Sequence, residues 1–135
     1  MPWLLDTNAW IMLLKSASAE LVRRLTERQD GDVLLCSVVK GELWHGAHKY
    51  GNRQARLAHL EELFARHRSL PFDDEAAWHY ADIRQFLEIN GQIIGPNDLK
   101  IAAICRANQL RLVTNNLGEF RRVPGLEVED WTNPI

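Results

Sequence analysis

Apolar positions along this chain alternate between short unbroken runs and stretches where they recur every three or four residues. Trp3-Leu4-Leu5, Val33-Leu34-Leu35-Cys36 and residues 111–114 are the clearest runs, with weaker ones at 69–72 and 126–128. Short runs bounded by turn residues read as buried strands, and Pro71 makes 69–72 an edge strand. The periodic stretches read as helices. They cover residues 8–15, 19–28 with Leu21, Val22 and Leu25 on one face, and 37 to about 48. A further helix holds Leu57, Leu60 and Phe64 in line; another starts at Asp73-Asp74, aligns Tyr80, Ile83 and Leu87, and stops near Asn90-Gly91; the last covers 97–108. Gln29-Asp30-Gly31-Asp32 and Tyr50-Gly51-Asn52 read as turns, and residues 92–95 as a loop. Strands alternating with helices predict an α/β sandwich around a parallel sheet. No linker interrupts the pattern, so residues 1–135 are expected to form one domain.

The polar positions carry the chemistry. Two strand-like runs lead into an acid, Asp6 directly and Glu42 through the head of a helix. Open parallel sheets bind ligands outside the carboxyl ends of their strands. Asp6 is a good helix cap, yet Asp6-Thr7-Asn8 holds more capping side chains than one helix start uses, which frees Asp6 for other work. Glu42 has Val38, Val39 and Gly46 at i−4, i−3 and i+4, a small and apolar line that predicts a core-facing carboxylate. An isolated charge there is costly unless paired or metal-bound. Asp98 follows Asn97 in the first turn of its helix, where the helix dipole favours a carboxylate. Its own face continues through Ile101, Ala102 and Cys105. Residues 114–116 end a later strand and Glu119 follows. Turn chemistry alone accounts for that segment; within a site, Asn116 would hold a water and Glu119 would be a fourth acid.

Carboxylates gathered in one pocket repel, so either one keeps its proton or a divalent cation is present. All-oxygen ligands select Mg2+ or Mn2+ over zinc. Glu42-Leu43-Trp44-His45 has the Glu-x-x-His spacing of di-iron bundles, which need it twice in an all-helical fold; it occurs here once. His45 and His48 lack a third partner for zinc. The histidines are expected at surfaces or interfaces.

A net charge of −2 gives no global basic footprint for nucleic acid. Basic residues cluster locally instead, at Lys40, His45, His48, Lys49, Arg53 and Arg56 and again at Arg121-Arg122. Such charges are ordinarily solvated helix faces; beside an acidic metal site they would hold a phosphate backbone. Cys36 and Cys105 lie in apolar runs and are expected to be buried, reduced thiols. The amino terminus lacks a basic leader and Asp6 interrupts its apolar run, so the chain reads as cytoplasmic, with no membrane span.

Leu4-Leu5-Asp6-Thr7-Asn8, the segment 37–47 around Glu42, and Gly95-Pro96-Asn97-Asp98-Leu99-Lys100 together resemble the PIN-domain ribonucleases, VapC-type toxins of toxin–antitoxin pairs in particular. Leu112-Val113-Thr114-Asn115-Asn116, Glu119-Phe120 and Glu129-Asp130-Trp131 continue the likeness to the end of the chain. The resemblance implies a three-layer α/β/α sandwich with a mostly parallel sheet. It implies a Mg2+-dependent endoribonuclease, with Mn2+ able to substitute, that leaves 3′-hydroxyl and 5′-phosphate ends. Asp6 and Asp98 would hold the ion directly, Glu42 and Glu119 through water or at a second ion, and Asn116 and Thr114 would position water or phosphate. Implied partners are structured RNA such as tRNA or rRNA, a VapB-type antitoxin that blocks the acidic groove, and a second copy in a homodimer. Trp10, Trp44 and residues 52–67 are the expected interface elements. One departure matters: many PIN domains carry aspartate where this chain has Asn116. A non-catalytic RNA- or protein-binding module with a decayed site is the competing reading. A dehalogenase-type phosphatase is a third, weakened by Asn8 standing where a second aspartate is needed.

Overall fold

The structure is a computed structural model, and it describes residues 2–133. Five strands form its centre: β1 (Trp3–Leu5), β2 (Val33–Cys36), β3 (Ser69–Leu70), β4 (Arg111–Val113) and β5 (Glu127–Glu129). All pair in parallel, in the order β3-β2-β1-β4-β5, with Leu4 opposite both Leu34 and Leu112. All four residues of β2 are buried, as are Leu4, Leu5, Leu112 and Val113. Neighbouring strand residues point to opposite faces, so the burial of both shows that both faces of the sheet are covered. This is the expected α/β/α sandwich.

The helices among the described residues are α1 (Thr7–Leu14), α2 (Ala19–Thr26), α3 (Ser37–Lys49), α4 (Arg53–Arg66), α5 (Asp74–Ile89), α6 (Pro96–Ala107) and α7 (Leu117–Phe120). None is long and apolar enough to cross a membrane. Strand order runs outward from β1 in both directions, so β1 is the topological switch point, where open α/β sheets form a crevice. α1 and α3 start within one residue of their strands, which places their first turns at that crevice.

Three expectations need correcting. The last strand lies one residue later than the apolar run suggests, because Val128 pairs with Leu112 and sets the register at Glu127–Glu129. Trp10 is fully buried and belongs to the core, so it cannot serve an interface. His67 is also buried: its Nδ1 lies 2.9 Å from the Val33 carbonyl and 3.2 Å from that of Asp30, and its ring tilts against Trp10. Cys36 and Cys105 are buried and unpaired as expected, and burial pushes the Cys36 thiol up to about 11.

Candidate active site

Asp6 is the first residue beyond β1. Its backbone N–H still donates to the Val113 carbonyl at 3.0 Å, so the sheet ladder fixes where it sits. One carboxylate oxygen accepts from the Ala9 N–H at 2.9 Å and caps α1. Capping and site membership are therefore not alternatives for this residue. Burial raises the Asp6 carboxyl above the usual range, and the charges of Glu42 and Asp130 add to this. A hydrogen bond with the Thr114 side chain and the Ala9 bond work in the opposite direction.

Glu42 lies in the second turn of α3 and is half-buried, not enclosed in the core as its apolar neighbours suggested. Val39 and Leu43 occupy the buried face, and Glu42 stands at its edge, where the Thr7 hydroxyl donates to Oε1 at 2.6 Å. Asp98 is the third residue of α6, after the Gly95 cap and Pro96 at the first helical position. Its carboxyl is pushed up to about 6, first by burial and then by the charges of Glu119, Asp6 and Glu42. One carboxylate thus registers the other three, which come from distant parts of the sequence.

Asp6, Thr7, Asn8, Glu42, Asn97, Asp98 and Asn116 line one open, polar groove of about 480 Å³ at the carboxyl ends of β1 and β2. Glu119 stands behind Asn116, whose side-chain N–H donates to its carboxylate. Asn116 therefore lines the groove and restrains Glu119 through the same side chain. Thr114, also expected to face substrate, is buried; its hydroxyl accepts from the Asn116 N–H at 2.9 Å and its bond to Asp6 ties the two together.

Among the described residues no group of three His, Cys, Asp or Glu side chains is gathered tightly enough to form a metal site unaided. The donor chemistry still suits a hard cation. The groove offers carboxylates and amide oxygens, and on top of the burial that chiefly raises the Asp98 carboxyl the neighbouring acids add a like-charge load that a divalent ion relieves.

A family model for the PIN domain matches residues 3–126. The chain belongs to the PIN-domain family. Within it, the relatives are VapC ribonucleases. Ribonuclease VapC2 of Haemophilus influenzae is 35% identical over 129 residues, covering 96% of this chain and 97% of that protein. The tRNA(fMet)-specific endonuclease VapC of Shigella flexneri is 38% identical over 130 residues, covering 96% and 98%. Among solved structures, DNA-bound VapBC from Salmonella typhimurium superposes with a TM-score of 0.91 at 34% identity, over 97% of this chain and 98% of that one. The chain is thus a PIN-domain endoribonuclease of the VapC type.

Several groove residues of this PIN domain were not singled out by sequence. Thr7 holds Glu42, and the surplus of capping residues at Asp6-Thr7-Asn8 was its one signal. Asp130 adds negative charge beside Asp6 from beyond β5, a proximity no sequence spacing discloses. Tyr50 lines the groove at the end of α3, next to His45 and Lys49 of the basic cluster that the sequence already places beside the acids.

Proposed function

We propose that this chain is a Mg2+-dependent endoribonuclease, with Mn2+ able to substitute, that hydrolyses phosphodiester bonds in structured RNA such as tRNA or rRNA. It acts through Asp6, Glu42, Asp98, Asn116 and Glu119, as one domain over residues 1–135. The observation that carries this reading is the single groove that Asp6, Glu42, Asp98 and Asn116 line together, in which the Asp98 carboxyl is pushed up to about 6. Asp6 and Asp98 would hold the cation, with Glu42 and Glu119 acting through water or at a second ion. A divalent ion there supplies a Lewis acid beside the phosphodiester and an activated water, so the RNA 2′-hydroxyl need not react. Thr114 and the Ala9 N–H fix the Asp6 carboxylate, Thr7 fixes Glu42, and Asn116 fixes Glu119. Asp6, Glu42 and Glu119 are thus held by hydrogen bonds before substrate arrives.

Support for RNA of the tRNA class comes from the Shigella relative, and support for a VapB-type antitoxin from the Salmonella complex. An antitoxin presenting a basic side chain would suit the acidic groove. A homodimer is supported by Trp78, Phe86, Ile89 and Ile93, exposed along and just after α5. Reduced Cys36 and Cys105 fit a cytoplasmic protein.

The deciding experiment is cleavage of total bacterial tRNA and rRNA by antitoxin-free protein with Mg2+, with Mn2+ and with EDTA, beside Asp98→Asn. A discrete cut that requires metal and disappears in the variant is expected. No cut under any condition would favour a non-catalytic binding module.

A further inference from the structure

Tyr50 ends α3 on the same face that carries Glu42. Glu42, Gly46 and Tyr50 recur every fourth residue, with His45 and Lys49 beside them, and all five line the acidic groove. At ~1.5 Å rise per residue, Tyr50 lies about 12 Å along the axis from Glu42, a span short enough for a few nucleotides of single strand. Tyr50 is 57% exposed, and it also lines an adjoining apolar cavity of about 320 Å³ with Ile11, Leu14 and Leu60. Cations flank the ring: Lys49 Nζ lies 5.6 Å and Arg56 Cζ 6.0 Å from its centroid. Asn52, in the left-handed region at φ 61°, turns the chain so that α4 returns beside Tyr50, and Arg56 Nε donates to the Gly51 carbonyl at 2.7 Å. The guanidinium is thereby held in place.

Gly46 supplies a second observation. It lies inside α3 and a Cβ built there meets nothing within 4 Å, so neither packing nor backbone conformation calls for glycine. Glycine inside a helix is destabilising relative to alanine. Its effect here is to leave the groove floor bare between the acids and Tyr50.

We propose that the α3 stripe from Gly46 to Tyr50 is the subsite for the RNA nucleotides flanking the scissile phosphate. The backbone passes over Gly46, a base stacks on Tyr50, and Lys49 and Arg56 take phosphates. Stacking on an aromatic ring beside cations is how single strands are held with little sequence preference. This inference rests on the proposed reaction centre at the acids.

The test is steady-state cleavage of a tRNA-derived stem-loop with Mg2+. Tyr50→Ala should lower kcat/KM roughly 5- to 100-fold, the range of losing one stacked base, mainly by raising KM, whereas Tyr50→Phe keeps most of the activity. An abasic nucleotide beside the cut should cost the wild type the same factor and cost Tyr50→Ala nothing further. Gly46→Ala should raise Tm yet reduce cleavage. Gly41→Ala, on an exposed position of α3 outside the groove, should raise Tm and leave cleavage unchanged. If Asp98→Asn cleaves as well as wild type, the reaction-centre reading fails. If Asp98→Asn is dead but Tyr50→Ala cleaves normally, the subsite alone is overturned. Normal cleavage by Tyr50→Ala with weakened inhibition by antitoxin would assign the surface to the protein partner and equally overturn it.

Discussion

One side chain, Asp6, closes the first turn of α1 through the Ala9 N–H while Thr114 holds it from the end of β4. Because the Thr114 bond favours the ionised form, Thr114→Val should raise the Asp6 carboxyl further. Cation affinity should then fall about 10- to 100-fold, as for other groups that orient a ligand, and the acid limb of the pH–rate profile should move to higher pH. An unmoved limb would show that Asp6 is not the group being titrated. Glu42→Gln keeps a shape the Thr7 hydroxyl can still bond, so the fold should persist while cleavage falls by about 100-fold or more, the scale of losing transition-state charge stabilisation; full activity would remove Glu42 from the site. That Glu42 departs from a solvated helix face was legible because its helical neighbours are apolar and small, but its setting at the edge of the groove was not. Helical spacing reports which residues share a face, and it does not tell the centre of a buried face from its edge. His67 left no signal at all: it is buried by carbonyls of a segment some thirty residues earlier in the chain.

Elements were more legible than residues, since strand runs and helical periods are local properties of the chain. Asp73 before α5 illustrates this: its side chain accepts from the Ala76 N–H at 3.0 Å, as an Asp placed before a periodic run should. Asp73→Ala should cost about 1 kcal/mol and lower Tm by a few degrees, with cleavage per folded molecule unchanged. A change in kcat would mean that α5 communicates with the groove. Sheet register was not legible, because it is set by partners distant in sequence. Glu129 shows why the last strand fits where it does: it accepts from the indole N–H of Trp3 at 3.2 Å and of Trp131 at 3.1 Å. Arg28 stacks on both of those rings, with Cζ at 4.5 Å and 4.3 Å from their centroids. That clamp joins α2's end, β1 and the segment after β5. Desolvated cation–π contacts are worth up to about 2 kcal/mol, so Arg28→Ala should lower Tm more than Asp73→Ala does, again without touching the chemistry.

At the scale of the whole molecule, folding itself brings the acids into mutual repulsion, and stability should record this. The Asp98 carboxyl, raised first by burial and then by the neighbouring acids, sits at about 6 in the fold against an ordinary value of 3.8. Between those values the folded state binds more protons than the unfolded one, so this group's contribution to stability falls as pH rises through the window and stays low above it. Asp6, also raised, acts with the same sign. In metal-free protein, thermal melts should therefore show wild type losing stability relative to Asp98→Asn as pH increases from about 4 to 7. Saturating Mg2+ or Mn2+ at neutral pH should reverse the loss, because an ion that binds only the folded state stabilises it by mass action. The rise in Tm should be a few degrees, should vanish near pH 4 where Asp98 is protonated, and should be much smaller in Asp98→Asn. Net charge cannot mimic this, since a general ionic-strength effect would appear equally with monovalent salt at matched ionic strength and in the variant. A wild-type melt indifferent to both pH and divalent metal would mean that the carboxylates do not act as one site, and the assignment of the groove would fall with them.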